Sequence, residues 1–218
     1  VVIFSSEKLY LNQLRVAPLL DIIQLPFILL TLLFFLREEK TGRFFFTSLF
    51  LGFVMATKSV VPAILLVVCF CLFILLMSKR QTFLRLLCWL PLSGTVLVAS
   101  YLRTFLSGYN FYDFLKFQKW IFSYQESKLV YPLSVWRLLF FNQWQSWWGD
   151  KRLLSADDWH WLWPVATASP ALGIILAIKH KMRMTREITL LTIWAVVYLA
   201  FLSLGVVSTR FLLPVLPV

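Results

Sequence analysis

Six apolar runs close to membrane-spanning length, at 17–36, 44–57, 60–77, 86–106, 161–178 and 188–207, dominate this chain, and a seventh opens at 211–218. A hydrocarbon core about 30 Å thick takes roughly 20 helical residues, and backbone groups in lipid must find their partners inside the segment. The pattern therefore predicts an all-α fold: an integral, multi-pass helical bundle with about six to seven spans, forming a single transmembrane domain over 1–218. The run 44–57 is short, and Thr57-Lys58-Ser59 parts it from the run that begins near Pro62, so 44–77 reads as a tight helical hairpin. Composition excludes the soluble alternative. Hydrophobic residues make up 60% of the chain and charged residues 14%, with a mean hydropathy of +0.79, whereas soluble domains carry roughly 25% charged residues. The same numbers exclude disorder.

The charge is +11, from 21 Lys and Arg against 10 Asp and Glu. The basic residues lie in short clusters between apolar runs, the arrangement that the positive-inside rule produces, so the excess is assigned to orientation and anionic headgroups and not to nucleic acid. Loops 37–43, 78–85 and 179–186 hold ten Lys and Arg in 23 residues and are expected on the cytoplasmic side. The turn at 57–59, the segment 107–160 and the region of Arg210 then fall on the extracytoplasmic side.

Segment 107–160 is too aromatic for a solvated loop and is expected to lie on the membrane with short helices. In 111–124, Asp113, Lys116, Gln118 or Lys119, and Ser123 recur at three- to four-residue steps beside a wide apolar face, which predicts an interfacial helix. A second helix is expected over 133–148, whose four Trp suit the headgroup level. No internal repeat or low-complexity tract is present.

Charged residues in or beside spans each need a reason, because one at a helix centre costs about 2.5–3.5 kcal/mol on insertion scales. Arg15 and Asp21 lie at the outer end of the first span; six helical residues turn 600°, so no direct pair is implied unless Pro18 bends or starts the helix. They read either as an interface anchor plus an acid at a helix start, or as site residues. Lys58, Arg103 and Arg210 each read as a snorkelling cation or as a phosphate ligand. Ser155-Ala-Asp-Asp158 reads as a capping box before the run at 161, ahead of a metal or acid/base role for Asp157, Asp158 and His160. Cys69, Cys71 and Cys88 lie in apolar runs and suggest neither a disulfide framework nor a zinc site. Gly-rich phosphate loops, the Ser-His-Asp order and H-E-x-x-H are absent. No cofactor is implied with certainty; a divalent metal is compatible with the chain but unsupported by it.

Taken together, Arg15-x-Ala-x-Leu-Leu-Asp21, the basic turn, Leu51-Gly-Phe-Val-Met-Ala-Thr-Lys58, the aromatic segment 107–160 and Arg210-Phe-Leu-Leu-Pro214-Val-Leu-Pro217 resemble the protein O-mannosyltransferases and their bacterial lipid-A aminoarabinose transferase relatives, C-type glycosyltransferases. The resemblance implies inverting transfer of a sugar from a polyprenyl-phosphate donor to a protein or lipid acceptor on the extracytoplasmic side. The membrane would be the plasma membrane of a prokaryote or the endoplasmic reticulum of a eukaryote. It matches Arg15 to the arginine near the donor phosphate, Asp21 to its acidic partner and Lys58 to the Thr-Lys position; Arg210 completes the expected substrate-binding set. Around Ser127–Ser134 the His-Pro pair of the protein mannosyltransferases is missing, which leaves the acceptor broader. With Val1 at the start and Val218 inside an apolar stretch, the chain reads as an internal fragment, with the family's acidic catalytic motif expected upstream. A secondary transporter would show two similar, Gly/Pro-interrupted halves, and no such symmetry is visible; a non-catalytic membrane scaffold would not need the outer-side cations.

Overall fold

The computed structural model describes residues 20–77, 80–126, 132–145, 152–179, 184–205 and 208–215. The protein is mostly helical. Helices α1 (Leu20–Glu38), α2 (Phe45–Thr57), α3 (Val61–Leu76) and α4 (Arg80–Ser100) follow one another, then a short α5 (Leu102–Leu106), α6 (Phe111–Glu126) and α7 (Ser134–Phe141). A two-stranded antiparallel pair, β1 (Trp144–Gln145) and β2 (Leu153–Leu154), leads to α8 (Leu162–Lys179), α9 (Arg186–Leu202) and a 3-10 turn at Thr209–Leu212. Within the described residues each of the six apolar runs is largely helical, the run 86–106 in two pieces. By length and composition, one helix among the described residues, over Gln81–Ser100, is long and apolar enough to cross a membrane; α2 and α3 are apolar but shorter.

α2 packs between α1 and α4, and α9 packs on α3. The face that α1 buries, Leu25, Ile28, Leu32 and Phe35, follows the helical three- and four-residue spacing. Phe35 is fully buried and is the hub of the core: its ring stacks on Phe70 at 3.9 Å between centroids and meets Phe73 edge-on at 5.6 Å. On the other side of α2 a glycine sets the spacing. A Cβ on Gly52 would sit 2.5 Å from Val96 Cβ and 3.0 Å from the Ser93 carbonyl, so α2 and α4 reach this separation only because the position has no side chain.

Helix ends gather into two groups. At one, the chain leaves α1, reverses at Gly42 with φ of 69°, and Glu38 turns back to cap α2: its carboxylate accepts from Phe46 N (2.9 Å), Thr47 N (2.8 Å) and Thr47 Oγ1 (2.7 Å). Buried Glu39 pairs with Arg186 at the start of α9, and Arg85 near the start of α4 lies against Gly42. The opposite end collects the start of α1, the end of α2, the end of α9 and the connection into α8. There Leu133 N donates to Ser203 O (2.7 Å) and Trp136 Nε1 to Ser203 Oγ (2.9 Å), which fastens α7 to the last turn of α9.

Three expectations need correction. The run 86–106 is not one helix: α4 begins at Arg80 and breaks at Tyr101 into α5. The helix expected over 133–148 ends at Phe141, because Asn142 takes a left-handed conformation (φ 52°), with Asn142 N donating to the Leu138 carbonyl and Gln143 N to the Arg137 carbonyl; the chain then enters β1. Ser155–Asp158 does not open a helix, since α8 begins at Leu162. His160 Nδ1 accepts from Leu162 N (3.2 Å) at the start of α8, and Asp158 is engaged elsewhere.

α6 does form, over Phe111–Glu126, and its start is fixed by a reciprocal pair: Asp113 N donates to Asn110 Oδ1 and Asn110 N to Asp113 Oδ2, both at 3.0 Å. It docks through Phe114, edge-on to Tyr101 at 4.9 Å, and through Gln118 Nε2 to Tyr101 Oη at 3.0 Å. Tyr112, Leu115, Phe117 and Trp120 remain exposed.

Candidate functional site

The site starts from a buried amide. Gln24 on α1 is 3% exposed, and its Nε2 donates to the Val54 carbonyl in the last turn of α2 at 2.7 Å. Asp21 lies one turn before Gln24 on α1, and Lys58, the residue that caps the end of α2, lies four positions after Val54, so the two form the next rung of the same ladder. On that rung the Lys58 ammonium donates to Asp21 Oδ1. Asp21 is thus paired with a cation from another helix, 37 positions along the chain.

The 3-10 turn brings a second cation. Trp194 Nε1 donates to the Pro214 carbonyl (2.9 Å) from the core of α9, and Leu212 and Leu213 are fully buried, so the turn is anchored behind Arg210. Arg210 Nε then lies 3.9 Å from Asp21 Oδ2. Phe211 faces both cations, with Lys58 Nζ 5.0 Å and Arg210 Cζ 5.1 Å from its ring centroid, close enough for the negative face of the ring to attract them. Two cations share one carboxylate and one aromatic face, which leaves this cluster one net positive charge. Arg210 Nε is buried without a hydrogen-bond partner, so one guanidinium donor at the cluster is unsatisfied.

Lys58 sits in the turn outside both helices. Burial pushes its ammonium below its ordinary range, Asp21 opposes that by charge and hydrogen bond without cancelling it, and Arg210 adds to the lowering. A proton on Lys58 is therefore held at some cost, which an arriving anion would offset.

Of the four residues expected to bind substrate, Asp21, Lys58 and Arg210 converge at one point, and Arg15 lies outside the described residues. Arg103 is exposed on α5 and shares none of these contacts. Among the described residues no three His, Cys, Asp or Glu side chains gather in a way that could hold a metal ion.

The chain matches no protein-family model, no curated protein and no solved structure.

Sequence reasoning passed over two residues of this site. Gln24, unremarkable in an apolar run, is the amide that sets the register of α1 on α2; a polar side chain inside such a run was the signal. Asp158, read as a capping acid, is 9% exposed, and its Oδ2 accepts from Thr209 Oγ1 at 3.1 Å, immediately before Arg210. Nothing local to Ser155–Asp158 marks that long-range bond.

Proposed function

We propose that this chain carries the donor-phosphate side of a multi-pass membrane glycosyltransferase, one that moves a sugar with inversion from a polyprenyl-phosphate donor to a protein or lipid acceptor on the extracytoplasmic side. The observation that carries the reading is the convergence of Lys58, Arg210, Asp21 and Phe211 at a single helix-end cluster. A sugar-phosphate diester bears one negative charge. As the acceptor hydroxyl attacks the anomeric carbon, the carbon–oxygen bond to phosphate breaks, the electron pair leaves on phosphate, and the hydroxyl proton passes to a base outside the cation cluster. The phosphate gains a second negative charge in that step, so cations held beside it bind the transition state more tightly than the ground state. Asp21 holds the two cations together, and Phe211 gives them a face that competes weakly with phosphate oxygens.

The membrane reading is supported by the same architecture. In this reading α1, α4, α8 and α9 serve as spans and the shorter α2 and α3 as a helical hairpin set among them; the helix ends segregate into a group holding Arg37, Arg43 and Arg85 and the site end with the aromatic segment. Outward apolar rows such as Ile64, Val68, Leu72 and Leu75 on α3 suit lipid. α6, with Tyr112 and Trp120 beside Lys116 and Lys119, suits the headgroup level at the site end. Single cysteines at Thr41 and Ser155, in a background without the native three, test the orientation: an impermeant thiol reagent should label the second and spare the first in intact cells, and the reverse pattern would overturn it.

The activity is tested with the purified full-length protein in liposomes and polyprenyl-phosphate sugars labelled in the sugar. Transfer is expected, with Arg15→Ala lowering it by about 10²–10³ at unchanged folding and Arg103→Ala leaving it near normal. Lys at position 15 should rescue only in part, because a point charge cannot reproduce the guanidinium fork. Absence of transfer from every donor by the folded wild type, or full activity in Arg15→Ala, would contradict the reading.

A further inference from the structure

The bond from Thr209 to Asp158 joins two parts of the molecule that the cation cluster alone does not connect. On one side, Thr209 directly precedes Arg210 in the 3-10 turn, so its position sets where the guanidinium emerges. On the other, Asp158 belongs to the connection that runs from the β-pair into α8. Ala156 N donates to Asn142 Oδ1 (2.8 Å) and Trp159 Nε1 to the Leu139 carbonyl (3.1 Å), which tie that connection to α7. α7 is in turn fixed to Ser203 at the end of α9. Directed hydrogen bonds thus tie the aromatic outer segment, through Asp158, to Thr209; Arg210 follows it in the chain and lies within ion-pair range of Asp21.

We infer that Asp158 is a positioning residue that couples the outer aromatic segment to the anion-binding cluster: through Thr209 it holds the Arg210 turn where the guanidinium and Lys58 face one phosphate. The inference rests on the reading of the cluster as a phosphate site. Its chemistry favours a short, buried, charged acceptor, since a carboxylate accepting from a hydroxyl is stronger than a neutral pair and resists exchange with water where exposure is low. Because coupling between two sites is reciprocal, an acceptor that orders the outer segment would tighten donor binding, and bound donor would tighten acceptor binding by the same factor.

The test measures binding of polyprenyl phosphate to the full-length protein in nanodiscs of neutral lipid. Thr209→Val and Asp158→Ala should each weaken binding about tenfold, the loss expected for one charge-assisted bond, while Thr209→Ser should bind as wild type and Asp158→Asn, which keeps an acceptor, should lose less. In the decisive arm Thr209→Val is combined with Arg210→Met. If Thr209 acts through Arg210, the double variant binds no more weakly than Arg210→Met alone, whereas a general loss of structure would add its own factor. Additive losses, or full binding in both Thr209→Val and Asp158→Ala when Lys58→Met and Arg210→Met bind more weakly than wild type, would overturn the coupling while leaving the phosphate site standing. Unchanged binding in Lys58→Met and Arg210→Met would remove the phosphate site and the coupling with it.

Discussion

Replacing Asp21 by Asn should make the protein less stable and its anion site stronger, two effects that only a shared counter-ion produces together. Asp21 is 11% exposed at its side chain, Lys58 28% and Arg210 32%. At about 4 Å and an effective dielectric of about 20, one ion pair is worth roughly 4 kcal/mol before desolvation. Fully buried pairs cost about 3–5 kcal/mol when one partner is removed, and exposed pairs about 0–1. Here both cations regain water when the carboxylate is lost, and Asn still accepts a hydrogen bond, so a destabilisation of about 2 kcal/mol follows. The net charge of the cluster rises from one to two, and one further charge near a bound phosphate at similar screening contributes about 1–2 kcal/mol. That corresponds to roughly tenfold tighter binding of polyprenyl phosphate. Reversible denaturation in mixed micelles gives the first quantity, and titration of the lipid phosphate in nanodiscs at low salt gives the second. Weaker phosphate binding in Asp21→Asn, with stability lowered as expected, would refute the reasoning, because Asp21 would then be helping to bind the ligand.

Gly52→Ala should destabilise the fold by about 1–3 kcal/mol, because the new Cβ falls 2.5 Å from Val96 Cβ; the denaturation midpoint reads the loss, and Val96→Gly should restore part of it. Glu38→Ala strips the cap from α2 and leaves two backbone N–H groups and a hydroxyl without their acceptor, at about 2–3 kcal/mol, whereas Glu38→Gln should lose less; equal stability of all three proteins would dismiss the cap. Lys58 sets a pH dependence. Its pKa in the folded protein is depressed below its ordinary 10.5, so the folded state binds fewer protons than the unfolded state between the two values, and stability rises with pH across that alkaline window. In Lys58→Met that rise should be smaller; an identical slope in both proteins would contradict it.

Much of the fold was legible because apolar periodicity in a chain this hydrophobic has few alternative readings. The boundaries of α2 and α3 follow the Thr57-Lys58-Ser59 break, and α6 follows the polar spacing of 111–124. What the sequence hid is long-range. Nothing in Arg37-Glu38-Glu39 tells that one carboxylate caps the next helix while its neighbour pairs with Arg186, 147 positions away. The end of α7 was marked, since Asn142 is a residue that adopts left-handed backbone readily, but the three Trp beyond it favoured reading the helix onward. In the site, charge type and the side of the membrane expected from the Lys and Arg count singled out Asp21, Lys58 and Arg210 one by one. Their meeting depends on Gln24 setting the α1–α2 register and on Trp194 anchoring the turn, neither of which carries a local pattern.

The central claim is that Lys58 and Arg210 together touch a lipid-linked phosphate, and phosphorus NMR of polyprenyl phosphate bound to the reconstituted protein tests it most directly. A phosphate monoester ordinarily loses its second proton at about pH 6, and two adjacent cations favour the dianion. The account predicts that this ionisation moves to lower pH on the wild type and returns toward the free-lipid value in both Lys58→Met and Arg210→Met. A bound lipid phosphate that titrates like the free lipid in the wild type, or whose shift survives both substitutions, would contradict it.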